Sequence, residues 1–153
     1  MYDSKVYCDG FKKTGTTSCG KAIQMLGYRH STFNKRVWSQ YENGEIAKVL
    51  QYTAKLDSVD DLPWLKEDII PVFDRVFLNS KFIYLTRDEE SWKQSIYHWT
   101  FKIFGEYPDL QKKIEEYRKH RKFVLNYFAD RPKEQFLVLD IKDQNGYDKL
   151  ARF

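Results

Sequence analysis

The stretch Lys5-Val6-Tyr7-Cys8-Asp9-Gly10-Phe11-Lys12-Lys13-Thr14-Gly15-Thr16-Thr17-Ser18 decides how this chain is read. Lys5 to Cys8 reads as a short strand that runs straight into a loop, Gly10 to Thr17. Thr17 or Ser18 can cap the helix that follows through Ala22, Ile23, Met25 and Leu26, and Gly27 is placed to stop it. Gly10 and Gly15 have the spacing of the phosphate-loop pattern G-x-x-x-x-G-K-[ST], and they lie between a strand and a helix, as that pattern requires. In such a loop, consecutive backbone N–H groups and the positive end of the helix cradle an anion, and glycines keep Cβ atoms out of its way. The loop predicts binding of a phosphorylated nucleotide.

One departure narrows the choice of nucleotide. Thr16 stands where nucleoside-triphosphate enzymes keep their lysine, and the loop's own lysines come earlier, at Lys12 and Lys13. A lysine on that side does not reach β- and γ-phosphates in the usual way. No Mg²⁺-binding acid stands out after an apolar strand, Asp88 being the nearest candidate. Both features count against an ordinary ATPase or GTPase.

Outward from the loop, Tyr28 to Tyr41 is irregular and basic and reads as loop with short helical turns. Glu45 to Thr53 has helical spacing, and Lys55 to Val59 reads as a short strand ending in Asp60-Asp61-Leu62-Pro63. A further helix is expected from Pro63 and Trp64, kinked or split at Pro71. Lys81-Phe82-Ile83-Tyr84-Leu85-Thr86 is the clearest strand, with the near-continuous apolar character of a buried parallel strand. Helices are expected from about Glu89 to Phe104 and from about Pro108 to Phe128, a strand over Phe136 to Ile141, and a final helix after Gly146. This alternation predicts a three-layer α/β/α domain, in which a parallel sheet of four to five strands carries a P-loop nucleotide-binding loop after its first strand. Residues 1–153 read as a single domain. The chain stops at Leu150-Ala151-Arg152-Phe153 inside an apparent helix, so either the fold is compact or the C-terminal end is trimmed.

Composition bounds the class. At 153 residues, 42% hydrophobic and 17% aromatic, the chain has the bulk for a packed core and is not a disordered polymer. A net charge of +4 suits an anionic ligand but falls short of a nucleic-acid binder, so no nucleic-acid partner is expected. Cys8 and Cys19 have no metal-ligand spacing and are too few for a disulfide framework; they read as two reduced, partly buried thiols. Met1 to Lys5 lacks the apolar run of a leader, and no stretch approaches the ~20 apolar residues of a membrane span. A soluble cytoplasmic protein is the expectation.

Gly-Phe-x-Lys-Thr-Gly-Thr-Thr-Ser, here Gly10 to Ser18, resembles the 5′-phosphosulfate loop of the P-loop sulfotransferases, with Lys12 where that family usually has proline. The block from Phe82 to Thr86 with Arg87, Asp88, Ser91, Trp92 and Ser95 is similar to the same family's 3′-phosphate site. There a strand ends in Arg-Asp or Arg-Asn, and a serine follows one or two helical turns later. The spacing has a physical rationale. Arg87 leaves the C-terminal end of its strand, where α/β sheets bind ligands, and a helix from Glu89 returns Ser95 toward the same phosphate. Gln144 to Leu150 looks like the family's final Gly-Trp-x-x-Leu helix start, with Tyr147 in place of Trp. The resemblance implies 3′-phosphoadenosine 5′-phosphosulfate (PAPS) as cosubstrate and adenosine 3′,5′-bisphosphate as product. It also implies an acceptor bearing a hydroxyl or amine, of unknown identity, and no metal.

On that resemblance Lys12, Lys13, Thr14, Gly15, Thr16, Thr17, Ser18, Arg87 and Ser95 bind the cosubstrate. Lys13 is also catalytic, beside the bridging oxygen of the phosphosulfate, where a cation stabilises charge on the leaving nucleotide. Many cytosolic members carry a histidine base in a Thr-His-Leu-Pro segment. Asp60-Asp61-Leu62-Pro63 puts Asp61 at that position, with Asp57 the next candidate, and a carboxylate serves if burial raises its pKa. Capping a helix at Pro63 is the competing role for Asp60 and Asp61. Ser91 reads as a capping residue, His98 as structural or solvent-facing, and Trp92 and Trp99 as core. His120, within Arg118 to Lys122, reads as part of a solvated basic face. Tyr28 to Tyr41 and the region around Gly105 are the loops expected to build the acceptor pocket. Two rival readings remain: a nucleotide or small-molecule kinase with a variant loop, which would bind ATP and Mg²⁺, and a catalytically silent nucleotide-binding domain.

Overall fold

The computed structural model describes residues 3–153; Met1 and Tyr2, at the start of the stretch read for a leader, lie outside the described residues. Along the chain run β1 (Val6–Asp9), α1 (Thr16–Met25), β2 (His30–Ser31), α2 (Lys35–Glu42), α3 (Ile46–Ala54), β3 (Ser58–Asp60), α4 (Ile70–Val76), β4 (Lys81–Thr86), α5 (Glu89–Phe104), α6 (Leu110–Tyr127), β5 (Phe136–Asp140) and α7 (Gly146–Arg152). The sheet order is β2-β3-β1-β4-β5, and every neighbouring pair is parallel. From β1 the chain goes to β2 and β3 on one side, then crosses to β4 and β5 on the other. Strand order therefore reverses at β1, and the crevice beyond its C-terminal end is where such sheets take ligands. The expected parallel sheet in a three-layer α/β/α domain is the one observed.

Alternation along the strands sorts side chains between the layers. Tyr7, Val59, Phe82 and Tyr84 share one core with Val37 of α2, Val49 of α3, Phe73 of α4 and Phe128 at the end of α6. Their strand neighbours Cys8, Ile83, Leu85 and Leu139 pack on the opposite face against Cys19, Ala22 and Ile23 of α1 and Leu150 of α7. β4 is apolar almost throughout because helices cover both of its faces. A separate cluster of Trp92, Ile96, Ile114 and Tyr117 joins α5 to α6. No helix among the described residues is long and apolar enough to cross a membrane.

The expected limits of β4 and α5 are the observed ones. The largest departure lies between Tyr28 and Tyr41, where β2 and α2 replace most of the expected loop. β2 has two residues, both polar, and nothing in the local pattern announces it; it forms because His30 and Ser31 pair with Ser58 and Val59 of β3. α2 starts where the Asn34 side chain accepts the N–H groups of Arg36 and Val37 at 3.0 and 3.2 Å. β3 begins at Ser58 instead of Lys55. The helix expected from Pro63 starts only at Ile70, with Pro71 in its first turn, where proline's missing N–H has no intrahelical partner to lose.

At the N-terminal edge of the sheet, Arg29 and Asp57 join the segments that lead into β2 and β3. Asp57 accepts the Arg29 amide at 2.8 Å and its Nε and Nη2 at 2.9 and 2.7 Å. The side-chain bond to Arg29 is the main reason its carboxyl falls from 3.8 to about 2. A group depressed on folding stabilises fully above its unfolded value, and that contribution disappears as pH falls through the folded one. Asp57→Asn should therefore be the less stable protein at neutral pH, with the difference from wild type closing between about pH 4 and pH 2 in urea titrations. In the larger core the Phe82 ring lies 4.7 Å from Tyr7 and 4.4 Å from Phe128, centroid to centroid. Phe82→Ala should lower unfolding free energy by about 3–5 kcal/mol, read from the same titrations.

Candidate functional site

The loop between β1 and α1 owes its shape to two left-handed residues, Lys13 at φ 69° and Gly15 at φ 102°. Between them Thr14 is fully buried and gives both its N–H, at 3.2 Å, and its O–H, at 2.7 Å, to the Phe11 carbonyl. Gly10 has no room for a side chain: a Cβ there would stand 2.5 Å from Thr14 Oγ1 and 3.1 Å from Leu85 Cβ. α1 then opens with no side-chain cap and no acid in its first turn. The Gly15 carbonyl takes the N–H groups of Ser18 and Cys19, both at 3.1 Å, while those of Thr16 and Thr17 have no backbone partner among the described residues. These free donors, at the positive end of the helix, suit an anion.

The loop is held from the α5 side. Trp92 Nε1 donates to the Lys12 carbonyl at 2.8 Å, and Arg87 Nη1 donates to the Lys13 carbonyl at 3.1 Å. Arg87 Nε donates to Ser91 Oγ at 2.5 Å, and Tyr117 O–H donates to the Arg87 carbonyl at 2.7 Å. Arg87 Nη2 makes no hydrogen bond among the described residues. Ser95 lies one helical turn beyond Ser91, on the same side of α5. Asp88 caps α5 through the Ser91 N–H at 2.9 Å and pairs with Lys142 at 2.6 Å. That pairing and the cap hold its carboxyl below the ordinary range, so the one acid weighed for Mg²⁺ has a structural task.

Two clefts flank the loop. The smaller, about 170 Å³, runs past Thr14, Gly15, Ser18 and Cys19 to Ile141 and Tyr147 beyond β5. The larger, about 560 Å³, is walled by Phe11, Lys12, Leu62, Leu65, Glu116 and His120 among others. Asp61 stands next to it, with Oδ1 accepting the Leu62 N–H at 2.7 Å. Burial is the chief cause that raises its carboxyl pKa, against the pull of that N–H and of Lys12. His120 is buried, with Nε2 2.9 Å from Oδ1 of buried Asp9, while Asp9 Oδ2 has no partner. On the other side of β1, buried Asp60 lies 3.3 Å from His30, whose Nδ1 meets Ser58 Oγ at 2.5 Å.

The fold thus brings Lys12, Lys13, Thr14, Gly15, Thr16, Thr17 and Ser18 onto one loop and helix start, and bonds Arg87 directly to it. Ser95 follows on the same helix face, and Asp61 stands at the C-terminal end of the strand beside β1. Thr14 differs from its expected part, because its donors close the loop on itself. Asp57 is not brought to this edge; it lies before β3, at the far end of the sheet and bound to Arg29. The larger cleft takes its walls from residues 62–68 and α6, not from Tyr28 to Tyr41 or Gly105. His120 corrects the reading of a solvated face: Ile114, Tyr117, His120 and Val124 recur every three or four residues and form the buried side of α6, a signal already present in the spacing. Asp9 and His30 gave no local signal, because their partners come from distant segments, and Asp60, weighed as a cap for a helix at Pro63, pairs with His30 instead.

Solved structures with the same fold include shikimate kinase from Bacteroides thetaiotaomicron, at TM-score 0.53 and 11% identity over 97% of this chain and 95% of that one. A gluconokinase from Sinorhizobium meliloti 1021 superposes at TM-score 0.53 and 11% identity, covering 99% and 93%. The YorR protein of Bacillus subtilis, in complex with phosphorylated GDP, reaches TM-score 0.64 at 12% identity, covering 97% and 92%. At these identities the likeness is one of fold, the P-loop nucleotide-binding fold. No curated protein matches in sequence. The family described as a sulfotransferase domain matches residues 5–108, which span the loop, Asp61, Arg87 and Ser95. By that match, the chain belongs to the sulfotransferase domain family.

Proposed function

We propose that this chain transfers a sulfuryl group from PAPS to a hydroxyl or amine of an acceptor. The observation that carries the reading is the junction of two anion-binding features on one loop. The bare start of α1 lies at one end of it, and Arg87, bonded to the Lys13 carbonyl at 3.1 Å, lies behind it. A nucleotide with a 5′-phosphate and a second phosphate on the ribose 3′ position uses both. PAPS supplies the transferable group. Gly10 and Gly15 let the loop close against Thr14, Leu85 and Ile141, where a Cβ would not fit, and the Thr16 and Thr17 N–H groups, with the hydroxyls of Thr16, Thr17 and Ser18, are the donors for the 5′-phosphate. Arg87 with Ser95, and Ser91 between them, is suited to the 3′-phosphate. Lys12 adds positive charge at the loop's outer side.

Lys13 is the cation we assign to the charge that builds on the leaving phosphate oxygen. In the transfer the acceptor atom bonds to sulfur, the bond from sulfur to that oxygen breaks, and the acceptor's proton passes to a base. The larger cleft is the acceptor side in this reading. Asp61, with its raised pKa, is our candidate base, and His120, held by Asp9 in the cleft wall, is the second. One observation favours the kinase rival: β3, beside the loop strand, ends at Asp60 and is followed by Asp61, where an acid could meet a phosphate-bound cation.

Four outcomes test this. Adenosine 3′,5′-bisphosphate without metal should raise Tm, and ATP with Mg²⁺ should not; the reverse pattern would establish the kinase reading. Arg87→Ala should weaken adenosine 3′,5′-bisphosphate roughly 10- to 100-fold more than adenosine 5′-monophosphate in calorimetry, as the loss of a hydrogen bond to a charged group requires, because loosening of the loop through the lost bond to the Lys13 carbonyl acts on both nucleotides alike. Lys13→Ala should cut PAPS turnover by about 10²- to 10³-fold with nucleotide binding retained; unchanged turnover would remove the catalytic role. A base is active when deprotonated, so the raised Asp61 carboxyl should put the acid limb of the pH–rate profile above the ordinary carboxylate range. Asp61→Asn should abolish that limb, and if His120→Gln abolishes it instead, the base is His120.

A further inference from the structure

Cys8 and Cys19 stand at the two feet of the loop, one at the end of the central strand and one in the first turns of α1. They are 11 residues apart in sequence, and their sulfurs are 2.8 Å apart, both buried and both free thiols. A disulfide bond is about 2.05 Å long, so under an ångström of sulfur movement would close it. We infer that these two cysteines are an oxidation site, at which a hydroperoxide forms a disulfide that staples β1 to α1 beneath the phosphate loop.

The two sulfurs have different surroundings. Cys19 lines the smaller cleft beside Thr14, Gly15 and Ser18, which gives a small oxidant its path. Cys8 lies inside the sheet, 2% exposed, and the contact with Cys19 together with burial holds its thiol well above the ordinary pKa. In the first step the Cys19 sulfur attacks one peroxide oxygen. The O–O bond breaks, a sulfenic acid remains, and the departing oxygen leaves as water with the thiol's proton. In the second step the Cys8 sulfur attacks the Cys19 sulfur. The S–O bond breaks, and hydroxide leaves with the Cys8 proton as a second water. Two thiols are oxidised by two electrons in total, and one hydrogen peroxide is reduced to two waters.

The staple would act on the loop. Cys19 N–H is bonded to the Gly15 carbonyl at 3.1 Å, so a shift of Cys19 passes to the left-handed residue that opens α1. Closing the ring Cys8 to Cys19 takes in every residue from Gly10 to Thr17 and restricts the motions that open the bonds of the Ser18 and Cys19 N–H groups to the Gly15 carbonyl.

The test uses the folded wild-type chain treated with hydrogen peroxide, quenched by thiol alkylation and digested with trypsin. Cleavage after Lys5, Lys12, Lys13 and Lys21 leaves Cys8 in residues 6–12 and Cys19 in residues 14–21, so the disulfide appears as a linked pair of peptides, about 2 Da lighter than their sum and separated by reductant. Cys8→Ala should leave Cys19 without a partner, and its sulfenic acid should go on to the sulfinic acid. In the linked protein, hydrogen exchange at Ser18 and Cys19, whose N–H groups are bonded to the Gly15 carbonyl, should slow at least tenfold. Met25, 88% exposed, reports that peroxide has acted. Oxidised Met25 with both cysteines still alkylated, or wild-type Cys19 recovered as sulfinic acid without the linked pair, would overturn the site. A linked pair with unchanged exchange at the loop would overturn its action there.

Discussion

Two hydrogen bonds, from Trp92 to the Lys12 carbonyl and from Arg87 to the Lys13 carbonyl, hold the segment on which the rest of the site depends. Lys13 and Gly15 have left-handed backbone, which a lysine adopts only when its surroundings hold it there. The hold comes from a distance. Trp92 stacks on Tyr117 at 4.5 Å, Tyr117 binds the Arg87 carbonyl, and both rings meet Phe11 edge-on at 5.9 Å. An aromatic cluster between α5 and α6 is therefore the mould in which the loop is cast. Packing of those helices and the direction of the Thr16 and Thr17 N–H groups are coupled through it.

The same arrangement separates two clefts. Gly15 is pressed by Ile141 from the β5 side, and beyond it lies the smaller cleft. Phe11 and Lys12 turn the other way, toward the larger cleft between residues 62–68 and α6. In the proposed reaction a nucleotide on one side and an acceptor on the other would meet at the loop, where Lys13 stands. The buried pairs Asp9–His120 and Asp60–His30 sit to either side of this line. Each puts a carboxylate at the C-terminal end of a sheet strand without exposing it. Burial raises the carboxyl pKa of Asp61, the condition a carboxylate base requires.

Much of this was legible in the chain itself. The spacing of Gly10 and Gly15 between a strand and a helix placed the loop, the run from Lys81 to Thr86 placed β4, and Asp88 with Glu89 placed the start of α5. These signals are local, set by turn chemistry, apolar runs and capping. What failed was non-local. β2 exists only because β3 lies beside it, and the turns at residues 61–69 replace a helix that proline and tryptophan spacing suggested. Asp57 ranks next after Asp61 as a candidate base in the sequence, yet three residues of strand carry one to each end of the sheet.

The sequence by itself determined the fold class, the phosphate loop and the family, because each rests on residues close together in the chain. Tertiary structure decided which donors remain free, since Thr14 turned out to bind Phe11. It decided which acids and histidines meet, and it brought the two cysteine sulfurs together at the feet of the loop. The physical reason is the parallel sheet. It returns distant strands to the same edge in a fixed register, and no local pattern encodes which side chains then share that edge.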